Sequence, residues 1–335
     1  MATDNTPISH TRTSSHFKSN DQKLFKRIKK WVGPCLSILI FCLAAWFLHE
    51  ELGSISRDII LSQLHAISWF DIISALCCVI GSYFCLTLYD VLALRHLKIH
   101  VPIKKTFMTA FIAYAVGHNV GFSAISGGAV RYRIYTLHDL STSDIAKLTF
   151  FISITFTIGI SFLFGIALQL ASTEQTDILK LHPFILQIIS FLLICYPLIY
   201  IVGTFFIRSP LQFYRWKLQL PHAKIAIGQM VISLIELFFA SAILYVLLSE
   251  HLSISYFSFL SIYLLAMIAG ILSSIPGGIG VFEAVLIAAL PEIDKGTLIA
   301  TIILYRVFYY ILPLIFAMLI FCWHEVITSR LKTNQ

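Results

Sequence analysis

Residues Ser274-Ile275-Pro276-Gly277-Gly278-Ile279-Gly280-Val281-Phe282-Glu283 set one proline and three glycines inside an apolar stretch that otherwise runs from about 256 to 290. Proline brings no backbone N–H and glycine no Cβ, so this decapeptide interrupts a helix and turns the chain. A second set of breakers, Gly117, Gly121, Gly127 and Gly128, lies in the apolar stretch from about 106 to 130. Whether such stretches cross a membrane or turn back within it decides the fold.

The solvent of the fold follows from composition. Hydrophobic residues make up 58% of the 335 positions and charged residues 12%, and the mean hydropathy is +0.85. Soluble domains are about a quarter charged, and a water-soluble fold of this length could not cover so much apolar surface. Several windows exceed the roughly 20 apolar residues that cross a bilayer core of about 30 Å. Lipid is therefore the solvent, and the fold class expected is an all-α integral membrane protein.

Residues 1–30 form a polar, basic tail of disordered composition, with Arg12, Lys18, Lys23, Lys26, Arg27, Lys29 and Lys30. An apolar run follows from Trp31 to Leu48 and leads directly into His49, Glu50 and Glu51, without the small-residue site of a cleaved signal. It is expected to be a retained span that opens a single membrane domain over 31–325, with a short tail at 326–335. The seven cysteines sit in apolar stretches at no zinc or redox spacing, which makes them packing residues. The net charge of +7 comes from basic clusters beside hydrophobic runs, so it reports membrane orientation rather than a nucleic-acid partner.

Loop charge sets the topology. The connections at 95–105 (Arg95, Lys98, Lys104, Lys105) and 208–224 (Arg208, Arg215, Lys217, Lys224) are basic without acids and belong on the cytoplasmic side. Those at 50–71 and 172–182 are net acidic and belong outside. Two full crossings between 106 and 171 would contradict this order; a hairpin at 106–130 that enters from the cytoplasm and returns resolves it. The same count fails near the C-terminus, where a hairpin at 256–290 entering from outside restores it.

The expected architecture is thus about six spanning helices plus two re-entrant helical hairpins, in an inverted repeat of units at about 70–171 and 225–323. Eight plain spans is the alternative. Broken helices meeting near the midplane are a transporter design, tolerated only where protein or water covers the freed backbone. The location expected is a bacterial cytoplasmic (inner) membrane, multi-pass, with both termini cytoplasmic.

Two motifs carry candidate chemistry. In Ser126-Gly127-Gly128-Ala129-Val130-Arg131-Tyr132-Arg133 a helix starting near Ser126 or Gly127 would present unpaired N–H groups to an anion, with Arg131 and Arg133 as phosphate donors. Glycine-mediated helix packing with arginines reaching the interface is the competing structural explanation. In the second motif, Gly280 as N-cap puts Glu283 at the third helical position, within reach of the cap N–H. Glu283 could equally meet a substrate ammonium or carry a proton.

Charges inside spans cost about 2.5–3.5 kcal/mol on insertion scales, so Glu236 and Arg306 each need a partner, a cavity or water. Glu236 and Glu283 are both candidate partners for Arg306. Asp90 lies near enough to the cytoplasmic end to be solvated. His118 and Asn119 occupy the tip of the first hairpin, where they can meet substrate or satisfy freed backbone groups. No catalytic triad, nucleotide loop or metal-ligand spacing is present, so neither enzyme activity nor a cofactor is expected.

These two motifs, with Tyr305-Arg306 in the last span, resemble the transmembrane region of the lysylphosphatidylglycerol synthases of the multiple peptide resistance factor type, in the stand-alone form without a synthase domain. The resemblance covers roughly 30–325. It implies a flippase-like protein moving a phospholipid, an aminoacylated phosphatidylglycerol among the candidates, between leaflets. It carries no synthase activity onto this chain. The site it implies comprises Ser126, Gly127, Gly128, Arg131, Arg133, His118, Asn119, Glu236, Pro276, Gly277, Gly278, Glu283 and Arg306. Alternatives are translocation of a polyprenyl phosphate or glycolipid carrier, or a non-transporting membrane partner of a lipid-modifying enzyme.

Overall fold

The computed structural model describes Leu39, Cys42 and residues 67–121, 123–170, 182–207, 211–213, 216–273 and 275–333. The basic tail, nearly all of the expected first span and the acidic loops at 50–66 and 171–181 lie outside the described residues.

Helix α1 (Trp69–Leu97) starts where the Ser68 hydroxyl accepts the Phe70 N–H, has Asp71 in its first turn and Arg95 and His96 in its last, and so complements its dipole at both ends. Helix α2 (Ile103–Val120) begins just after Pro102 and stops at Gly121, whose φ of 79° is open to glycine at little cost. Helix α3 (Ser123–Tyr135) follows at once. It starts three residues before the expected Ser126, so Gly127 and Gly128 lie inside a helix. Among the described residues Gly121, with its positive φ, marks the break, and Gly127 serves close packing on α2.

Helices α4 (Thr142–Leu170) and α5 (Pro183–Phe206) follow, and a two-stranded ribbon (β1 Leu211–Phe213, β2 Trp216–Leu218) leads to α6 (Ala223–Leu247). Helix α7 (Tyr256–Ser273) is followed by the turn Pro276–Gly278, in which Gly277 and Gly278 have positive φ, and by α8 (Val281–Ala289), whose N-cap Gly280 also has positive φ. Asp294 caps α9 (Lys295–Arg306) by accepting the Thr297 N–H at 3.0 Å. A π turn (Val307–Ile311) joins α9 to α10 (Leu312–Thr333).

Among the described residues six helices are long and apolar enough to cross a membrane: α1, α4, α5, α6, α7 and the rod from Lys295 to Thr328. The all-α membrane class holds. Helix α7 is about 27 Å long by its residue count, close to a bilayer core, so length alone does not separate a spanning helix here from half of a re-entrant hairpin.

The order long helix, broken hairpin, long helix occurs twice, as α1–α2/α3–α4 and as α6–α7/α8–α9/α10. Within each hairpin the halves pack on one another, and α1 lies along α6 at the centre of the bundle. Glycine allows these close approaches, as small residues do between membrane helices. A Cβ on Gly127 would stand 2.9 Å from the Ala113 carbonyl oxygen; one on Gly278 would stand 3.1 Å from the Gly270 Cα. At the α4–α6 crossing a Cβ on Gly159 would collide with the Ser233 side chain.

The neighbouring glycines of the first hairpin give opposite expectations. Gly128 has only the Thr149 side chain near, at 3.7 Å, so Gly128→Ala should be neutral or stabilise by up to about 1 kcal/mol, the ordinary helical gain. Gly127→Ala must push back a backbone carbonyl and should cost about 1–3 kcal/mol. Thermal unfolding of the two purified variants in one detergent checks this; equal shifts would refute the close approach.

Candidate functional site

The inward stripe of α1 carries Ser82, Tyr83, Leu86, Tyr89 and Asp90, spaced so that all lie on one helical face. The facing stripe of α6 carries Gln229, Ser233, Glu236 and Ala240. Polar and ionised groups thus collect where the two central helices meet, with the hairpins closing in from either side.

Asp90, expected to be solvated, is fully buried. Arg131 of α3 reaches it with two parallel bonds, Nε to Oδ1 and Nη2 to Oδ2, both 2.8 Å, and the Tyr135 hydroxyl donates to Oδ1 at 3.3 Å. The guanidinium also lies over the Tyr114 ring at 4.7 Å. The correction has a simple cause: the hairpin folds a buried arginine onto α1, and a paired charge can occupy a depth that a lone one cannot. Arg133, two residues on, bonds Glu325 of α10 at 2.6 Å at a half-buried edge.

The second hairpin has its own ion pair. Glu283 accepts the Gly280 N–H at 2.7 Å with one oxygen, as the spacing predicted, and takes Arg306 Nε at 2.7 Å on the other. Arg306 therefore selects Glu283 over Glu236. Its Nη1 also donates to the Gly277 carbonyl at 3.3 Å, so one guanidinium ties the glycine turn to α8. Unlike the sealed Asp90–Arg131 pair, this one is open on the Glu283 side, whose side chain is 20% exposed.

Glu236 sits between the repeats. Ser82 Oγ donates to it at 3.0 Å, Tyr309 Oη at 3.3 Å and Tyr89 Oη at 3.4 Å. Pro313 has no N–H to offer the Tyr309 carbonyl four residues back, and the Tyr310 carbonyl lies beside it in the same π turn. These two carbonyls accept from Tyr83 Oη at 3.1 Å and from Asn119 Nδ2 at 3.1 Å. The tip of the first hairpin is thereby docked on the π turn of the second repeat, and the turn Pro276–Gly278 packs against α2.

His118, beside Asn119, lies among the rings of Tyr83, Tyr114, Tyr309 and Tyr310 at centroid distances of 5.8–6.3 Å. Its Nδ1, the Asn119 Oδ1 and the Tyr114 hydroxyl are buried without a hydrogen-bond partner. The amide of Asn119 is oriented by its two carbonyl partners, Ala115 and Tyr310, which only its NH₂ can serve. Two acceptors and a hydroxyl thus remain open on α2, the hydroxyl on the ring that the Arg131 guanidinium covers. Ser126 donates to the Gly121 carbonyl at 2.9 Å and belongs to the hairpin turn.

The sequence-predicted residues therefore fall into three neighbouring groups, around Arg131, around Glu236 and around Arg306, with Arg133 at the edge. Sequence reasoning missed the tyrosines. Tyr83, Tyr89, Tyr114, Tyr263, Tyr305 and Tyr309 looked like apolar positions, yet a buried tyrosine in place of phenylalanine signals a hydroxyl in need of a partner. Tyr263 and Tyr305, for example, bond each other at 2.8 Å. Among the described residues no group of histidine, cysteine and carboxylate side chains is arranged to hold a metal.

Paired glycine-broken hairpins around a polar, partly ionised core define a polytopic helical membrane protein. Residues 35–317 match the model of the lysylphosphatidylglycerol synthase TM region, and the chain belongs to that family. It is 33% identical to the inner membrane protein YbhN of Escherichia coli, over 93% of this chain and 96% of that protein. It is 32% identical to the protein slr0712 of Synechocystis, over 94% and 97%. Phosphatidylglycerol lysyltransferase of Staphylococcus aureus is 27% identical over 90% of this chain, which spans only 35% of that enzyme. The matched region is thus the membrane part of the family and not its catalytic domain.

Proposed function

We propose that this protein moves the polar headgroup of a membrane phospholipid between leaflets of a bacterial inner membrane, with both hairpins re-entrant and the acyl tails left in the bilayer. The observation that carries this reading is the Glu283–Arg306 pair. It is held at the glycine turn of the second repeat, open on the Glu283 side, in a helical membrane domain where charge is expensive. A headgroup bearing both an ammonium and a phosphate is its chemical complement: the ammonium takes Glu283 and the phosphate takes Arg306. The open acceptor and hydroxyl of Asn119 and Tyr114, with His118, can receive headgroup hydroxyls on the other hairpin. Aminoacylated phosphatidylglycerol has all of these groups, and the relatives named as its lysyltransferases support it as the first substrate to try.

The test is leaflet accessibility of labelled lipids in proteoliposomes, comparing lysyl-phosphatidylglycerol, phosphatidylglycerol and a polyprenyl phosphate. Movement of the lysyl lipid at least tenfold faster than in empty vesicles is expected. Polyprenyl phosphate moving alone would replace the substrate by an anionic carrier. No movement of any lipid, with and without an imposed potential, would sink autonomous transport. A second reading, a membrane partner for a lipid-modifying enzyme, is favoured by one observation: in the lysyltransferases the matching region is about a third of a longer chain.

A further inference from the structure

Among the carboxylates of the described core, Asp90 and Glu283 are ion-paired and Glu236 is not. Its side chain is almost completely buried, and its polar contacts are three hydroxyls, from Ser82, Tyr89 and Tyr309. The groups around it offer no counter-charge. Tyr83, Cys85 and Tyr89 face it from α1, Tyr114 from α2 and Tyr263 from α7. Helices α4 and α5 meet this face of α6 through the neutral chain Thr155–Gln229–Tyr200. From α9 come Tyr305, stacked on Tyr309 at 5.6 Å, and Arg306, which is bonded to Glu283 and Gly277. His118 lies across Tyr309 at 5.8 Å, and Arg131 is bound by Asp90.

A carboxylate buried without a cation is costly as an anion. Three hydroxyls donating to it lower that cost without removing it, so both protonation states are within reach. Each hydroxyl can also turn its proton away and accept from the neutral acid. The site is built for a group that changes charge.

We propose that Glu236 is a proton-binding site of the transport cycle: it takes a proton from one side of the membrane, forming a carboxylic O–H, and gives it up to the other as the hairpins exchange access. No other bond is made or broken. The coupling half of this inference rests on the transport reading above; the proton-binding half stands without it.

Infrared difference spectroscopy of the purified full chain separates the two halves. On lowering the pH, wild type should gain a carboxylic C=O band that shifts in D₂O, that Glu236→Gln lacks and that Glu283→Gln keeps. Ser82→Ala and Tyr309→Phe each remove a donor to the anion and should make the band appear at higher pH. The absence of a titrating band in wild type, its survival in Glu236→Gln, or a band that answers to sodium at fixed pH overturns the proposal. In proteoliposomes an imposed pH gradient should bias the net direction of lipid movement, and reversing the gradient should reverse the bias. Lipid movement indifferent to the gradient overturns the coupling and leaves the flippase reading intact. A titrating band with no lipid movement overturns the coupling together with the transport reading, and leaves a proton site.

Discussion

Arg131→Ala is expected to destabilise the protein by about 3–5 kcal/mol, the usual cost of stripping a buried carboxylate of its counter-ion. Asp90 has no route to water in the folded state, so once the guanidinium is gone only the Tyr135 hydroxyl remains to it. The variant also loses the contact of the guanidinium with Tyr114. Removing both charges should be far gentler. In Asp90→Leu/Arg131→Met an apolar pair of similar volume fills the gap, and such replacements are often neutral or stabilising. Thermal unfolding in detergent of wild type, both single variants and the double variant gives the coupling directly. A double variant as unstable as Arg131→Ala would show that the pair is not what holds α3 to α1. Arg131→Ala is consequently a poor probe of lipid binding, since lost transport in that variant would first report lost structure.

Glu283→Gln should reduce movement of a cationic headgroup at least tenfold and leave an anionic lipid within about threefold of wild type. Tenfold corresponds to about 1.4 kcal/mol, within the range of a single charge-assisted hydrogen bond. Glutamine keeps the side-chain length and can still accept the Gly280 N–H, so the capped turn persists. What disappears is the negative charge facing the partly open side of the pair. Arg306, freed of its carboxylate, becomes a better phosphate site, so a purely anionic substrate gains or holds its rate. Equal losses for lysyl-phosphatidylglycerol and phosphatidylglycerol in the leaflet assay would mean that Glu283 only braces the turn.

Much of this was legible in the sequence, for physical reasons that can be located. Capping is local: Gly280 and Glu283 are three residues apart, and the bond between them followed from helix geometry alone. The helical class followed from composition, and the two breaks followed from glycine and proline. Asp90 was misread because its environment is not local. Its distance along the chain from the basic loop at 95–105 says nothing about an arginine brought back from position 131. The start of α3 was misplaced because paired glycines were taken as a break, whereas both lie inside a helix and Gly127 alone is needed there, for close approach to α2. The partner of Arg306 was left between two glutamates, since spacing alone does not settle a contact across a hairpin. The hydroxyl cage of Glu236 was invisible, for its members come from residues more than two hundred positions apart.

The docking of the first hairpin on the π turn has a mechanical consequence. At this turn, just before Pro313, two main-chain oxygens accept from side chains of the other repeat, Tyr83 and Asn119. Rocking one half of the molecule over the other at this joint would exchange two such bonds, each worth about 1 kcal/mol net, rather than unzip a ladder of helix bonds. This joint is therefore cheap to rearrange, whereas the long contact of α1 with α6 is the seam that such a motion would have to keep.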